Sequence, residues 1–133
     1  MENQYDNLVP ANRDAEWGLL GAWLQDDNKH TFYLASAGVQ AEDFYWEDDM
    51  HVAEAIIQMV KENRRTEPVA VADAITKAHH EGSFQDAMNG TVVSYLRGII
   101  IANPSTSNVS YWANTVKELS RKRLIRSRKC VQE

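Results

Sequence analysis

Apolar residues recur along this chain with the period of an α-helix, and no stretch shows the β-branched alternation of a strand. Ala15, Leu19 and Trp23 fall at i, i+4 and i+8, with Leu20 and Leu24 beside them, so one face of a first helix is apolar. Asn12 or Pro10 is suited to start it and Asp26-Asp27-Asn28 to end it. Gly18 and Gly21 lie inside this helix, where each costs about 1 kcal/mol relative to Ala. Close approach of a neighbouring helix is the physical reason to keep them there. A second helix is predicted from His30 to Ala37, stopped by Gly38, and Ala41 to Trp46 reads as a helical turn carrying three aromatics. Asp48 or Asp49 can cap a long helix through Glu62, with Val52, Ala55, Ile56, Met59 and Val60 on its inner face. Val69 to His79 gives a fourth helix and Thr91 to Ile101 a fifth. Asn103-Pro104 then supplies a cap and a first helical residue for a last helix, carrying Val109, Trp112, Val116, Leu119 and Ile125 to at least Arg126. Two helices so closely joined lie antiparallel.

The expected fold is therefore all-α, a helical bundle globule followed by an antiparallel helical hairpin. Only 6 Gly and 3 Pro occur in 133 residues, too few for the turns of an all-β design. The expected organisation is a flexible lead-in over 1–9, a globule over 10–89, a hairpin over 90–126 and a basic tail over 127–133. A single cysteine, Cys130, cannot form an internal disulfide, so a reducing, cytoplasmic setting is expected. The polar, acidic start carries no signal-peptide pattern, and no apolar run approaches a membrane span. Net charge is −5, but residues 1–116 carry a balance of −10 and residues 117–133 one of +5. An acidic body disfavours nucleic acid over most of the surface.

Residues that could support catalysis lack partners in the sequence. None of the six glycines begins a G-x-x-x-x-G-K-[ST] loop, which excludes an ordinary P-loop hydrolase. His51 and Glu54 stand at i, i+3, but a di-metal bundle needs a second such pair, and none occurs. His79-His80 suits a helix end, and Cys130 beside Arg128 and Lys129 reads as a tail residue. No enzyme, cofactor or metal is expected. Trp17, Trp23, Trp46 and Trp112 are large anchors suited to cores or interfaces, and Trp17 lies about 100° around from the main apolar stripe.

Several segments, in order, resemble the amino-terminal domain of DnaB-type replicative helicases. The run Pro10-Ala11-Asn12-Arg13-Asp14-Ala15-Glu16-Trp17-Gly18-Leu19-Leu20-Gly21-Ala22-Trp23-Leu24 is similar to that family's opening. Asp43-Phe44-Tyr45 with His51 and Ile56 follows in register, then Ser94-Tyr95-Leu96, Asn103-Pro104-Ser105, Asn108, Trp112, Val116 and Arg123-Leu124-Ile125. The resemblance covers residues 9–126. Ala70 departs from a usual aspartate and Trp112 from a usual tyrosine. What the resemblance implies is a helical globule plus a hairpin. Hairpins pair into dimers, and three dimers form a collar over the motor ring that receives primase and loader proteins. ATP hydrolysis belongs to a separate domain of that family.

Two expectations follow from the resemblance. Val92, Val93, Leu96, Ile99, Ile100, Val109, Trp112, Val116 and Leu119 form the expected oligomer interface, serving a dimer or a hexamer built as a trimer of dimers. Arg121, Lys122, Arg126, Arg128 and Lys129 are expected either to form a solvated, dipole-matched helix end or to make a weak DNA contact. Three functional readings stay open. One is a collar domain that docks primase, helicase or loader. Another is a free-standing phage or mobile-element protein acting on a helicase or primase as adaptor, loader or decoy. The last is a module that kept the fold and lost replication.

Overall fold

The computed structural model describes residues 9–27, 29–36, 38–78 and 91–132, with side chains placed up to Arg126. Among these residues all regular structure is helical: α1 (Arg13–Leu24), α2 (Thr31–Ala35), a 3₁₀ turn (Ala41–Asp43), α3 (Glu47–Lys61), α4 (Pro68–Lys77), α5 (Val92–Ala102) and α6 (Val109–Gln132). The expected basic tail is thus backbone of α6 through Gln132. The expected lead-in lies outside the described residues except for Val9.

α1 begins where its cap chemistry dictates. Asn12 is extended and its side chain accepts the Ala15 N–H at 3.1 Å. At the other end, the Trp23 carbonyl accepts the Asp26 N–H at 3.3 Å and the Thr66 hydroxyl at 2.7 Å. Asp26 and Asp27 both stop α1 and serve α2. Asp26 accepts from the N–H groups of Phe32 and Tyr33 at 3.0 and 2.9 Å, and Asp27 from that of Thr31 at 3.2 Å. Gly38 turns the chain out of α2 with φ +90, a conformation that glycine adopts without steric cost.

Three boundaries differ from expectation, each for a local reason. The turn at Ala41 stops at Asp43, whose carboxylate bends back to the Gln40 N–H at 2.7 Å. Phe44 and Trp46 are extended, and Glu16 draws the Tyr45 N–H to itself at 2.7 Å. α3 starts at Glu47, so Asp48 and Asp49 lie in its first turn, facing Arg13, rather than capping it. Asn103 closes α5 instead of opening α6: its N–H and side-chain amide both donate to the Ile99 carbonyl, at 3.0 and 3.1 Å. Pro104 is therefore loop, and residues 103–108 link α5 to α6.

α1 is the axis of the fold. It packs against α2, α3, α5 and α6, while α4 packs on α3 and α5. Ala15, Leu19, Leu20, Ala22, Trp23 and Leu24 are all buried, and they share one core with residues from α3, α4, α5 and α6. Each fully buried large apolar side chain of this set contributes about 1.5–3 kcal/mol. The two glycines of α1 make this crowding feasible. A Cβ on Gly18 would lie 2.6 Å from the Trp112 Nε1 of α6, and one on Gly21 would lie 3.2 Å from the Cβ of Asn103.

Candidate oligomerisation and docking surface

The expected interface residues divide sharply by burial. Val92, Leu96, Ile99, Val109 and Val116 are buried in the chain's own core. Val93, Ile100, Trp112 and Leu119 are half-buried, and all but Leu119 pack against that core. The physical reason is α1, whose glycines let α5 and α6 settle on it and cover most of the apolar stripe within one chain. A charge at Leu96, 0% exposed, would therefore disrupt the core rather than report on an interface.

What α5 and α6 leave open is a different set. Ile101 is 79% exposed, Tyr111 63%, Leu124 54% and Ile125 47%. Tyr111, Thr115, Leu119 and Lys122 follow one another at helical spacing and, with Asn114 and Glu118, line a shallow groove on α6. This face was hard to find in sequence because residues one position apart on a helix switch between covered and open sides.

Of the basic residues, Arg121 and Lys122 are exposed, with Arg121 beside Glu118 at 3.0 Å, and Arg126 is half-buried. The side chains of Arg128, Lys129 and Cys130 lie outside the described residues, as do His79 and His80. Lys117 and Arg123 have internal work. Asp43, 6% exposed, receives Lys117 at 3.3 Å and the Ser120 hydroxyl at 2.8 Å. Arg123 donates to the carbonyls of Pro10 and Asp43 at 2.8 and 2.6 Å and lies 5.5 Å from the Tyr45 ring centre. These contacts fasten the middle of α6 to the globule, which fixes the orientation of its open face.

A buried polar junction, not foreseen from sequence, sets the position of α5 in the same way. Asp49 accepts from the Trp17 indole at 3.1 Å and from the Tyr95 hydroxyl at 2.8 Å. Arg13 meets Asp48 at 2.8 Å and Asp49 at 3.2 Å, and also reaches the Tyr95 hydroxyl. Burial pushes the Glu16 carboxyl up to about 8, helped by its hydrogen bond with Asp49, and burial likewise raises Asp49. Burial and the Asp49 charge hold the Tyr95 hydroxyl protonated. The only signal in sequence was a tyrosine within the apolar run of α5. His51, 8% exposed, has Nε2 3.5 Å from Glu47, and Glu54 is exposed. Among the described residues no group of three or more His, Cys, Asp or Glu side chains could hold a metal ion. No helix among them is long and apolar enough to cross a membrane.

The family profile of the DnaB-like helicase N terminal domain matches residues 8–118, most of the chain. This protein belongs to that family. The crystal structure of the N-terminal domain of DnaB helicase from Mycobacterium tuberculosis is similar to it, with TM-score 0.77 and 23% sequence identity, over 94% of this chain and 85% of that one. At that identity the likeness establishes the shared all-α fold. No curated protein matches the sequence. Against the DnaB-like pattern, Ala70 packs on the core, and Trp112 presses its indole on Gly18.

Proposed function

We propose that this chain is a non-catalytic oligomerisation and docking domain acting in DNA replication. It pairs with a second copy through the open faces of α5 and α6 and presents the assembly to a primase, a helicase or a helicase loader. The observation that carries the reading is the exposure of Ile101, Tyr111, Leu124 and Ile125 on the last two helices of a DnaB-like N-terminal domain. Singly exposed apolar residues are ordinary, but several on one arm, with an aromatic among them, suit a protein interface. The expected hexamer, as a trimer of dimers, extends the same pairing.

Calorimetric titration against purified cognate primase and helicase tests the docking half. Binding to at least one of them, weakened by Tyr111→Glu, is the expected result. No heat with either partner at roughly tens of micromolar, where a Kd near 10 μM corresponds to about 7 kcal/mol, would remove it.

A further inference from the structure

We propose that Glu16 and Asp49 hold a single proton between them, forming a latch that fastens α1 to α3 and to the Tyr45–Trp46 turn and that opens when the proton is lost. Glu16 is 2% exposed and Asp49 0%. One oxygen of each is already engaged, Glu16 Oε2 by the Tyr45 N–H and Asp49 Oδ1 by Trp17 and Tyr95. Of the other two, Glu16 Oε1 is buried without a hydrogen-bond donor, and Asp49 Oδ2 lies 3.2 Å from Arg13 Nε in an ion pair but accepts no aligned hydrogen bond. Two ionised carboxylates cannot satisfy each other, because both only accept. A proton on one turns it into a donor to the other and settles both oxygens at once.

The surrounding charges favour retention of that proton. Asp48 adds a third carboxylate from α3, and Arg13, on α1, is the cation in contact with Asp48 and Asp49. From α5 comes only the Tyr95 hydroxyl, and the turn offers backbone N–H groups of Tyr45 and Trp46. On α6, Lys117 and Arg123 are directed to Asp43 and to the carbonyls of Pro10 and Asp43. Burial first, then the Asp49 hydrogen bond, raises Glu16 from 4.5 to about 8. Between those values the folded chain binds a proton that the unfolded chain has lost. The stabilisation is therefore complete below the unfolded value and is lost as pH rises through the folded one.

Urea denaturation at a series of pH values from 6 to 9 tests the latch. The folding equilibrium constant should fall by roughly tenfold per pH unit from 6 towards 8 and then level off. Glu16→Gln keeps an acceptor for the Tyr45 N–H and supplies a non-titrating donor to Asp49, so its curve should lack this fall. Histidines contribute alike to both proteins, which makes the difference between the two curves the readout. Parallel curves would overturn the proposal. Should Glu16→Gln fail to fold, the side-chain carboxyl carbon of Glu16 in the wild-type chain, followed by NMR, decides. Titration near 8 supports the latch, and titration in the ordinary glutamate range overturns it.

Discussion

Adding one methyl group at Gly18 sets two effects of opposite sign against each other. In the middle of α1, Ala is favoured over Gly by about 1 kcal/mol of helix propensity. The new Cβ would also lie 2.6, 2.7 and 2.8 Å from Nε1, Cδ1 and Cε2 of Trp112, distances that real Cβ atoms do not tolerate. The indole is rigid and α6 is pinned at Asp43, so relief requires a shift of the helix or an unfavourable rotamer, which typically costs about 1–3 kcal/mol. Gly18→Ala should therefore destabilise the chain by about 1 kcal/mol net, a drop in Tm of roughly 3–5 °C for a domain of this size. In a Trp112→Ala background the clash is gone and only propensity remains, so the same substitution should stabilise by about 1 kcal/mol. Thermal and urea denaturation followed by circular dichroism would give the four corners of the cycle. The sign reversal is the diagnostic result. If Gly18→Ala stabilised the chain with Trp112 present, the packing of α6 on α1 described here would be wrong.

Two further substitutions probe the anchoring of the core. Ser36→Ala leaves the buried Trp23 indole N–H, now 3.0 Å from the Ser36 hydroxyl, without an acceptor, and should lower the urea-derived stability by about 1–3 kcal/mol. Asp43→Ala removes the partner of Ser120, Lys117 and the Gln40 N–H together and should cost about 2–3 kcal/mol, whereas Lys117→Ala, on a side chain 42% exposed, should cost under about 1 kcal/mol. Equal losses for these two would mean that the ion pair, not the buried carboxylate, ties α6 to the 3₁₀ turn.

How far the sequence was legible depended on whether the deciding interaction was local. α1 was readable nearly to the residue because its cap, its period and its stop all lie within the segment. Gly18 and Gly21 signalled close helix approach because an interior glycine has few other uses. The start of α6 is not legible for the opposite reason. Asn103-Pro104 is a valid starting signal, but Asn103 found the Ile99 carbonyl first. For the candidate surface, periodicity showed that α5 and α6 are apolar, yet it could not show which side α1 would cover. Leu96 and Ile99 went inward, while Ile101 and Tyr111 stayed out. The Glu16–Asp49 junction was hidden because acids in the first turn of a helix ordinarily serve the dipole. Only the meeting of α1 with α3 turns those two into a buried pair.

The central claim is that α5 and α6 carry an open face that pairs with a second copy. Light scattering of the purified chain against concentration, up to roughly 100 μM, tests it most directly, since a homodimer with a Kd near 10 μM is mostly paired there. A mass rising with concentration from 15.1 kDa towards twice that value or beyond is expected. Tyr111→Glu with Ile125→Glu should return the mass to that of one chain without lowering Tm, because both residues are exposed. A wild-type chain that stays at the mass of one copy throughout would contradict the claim.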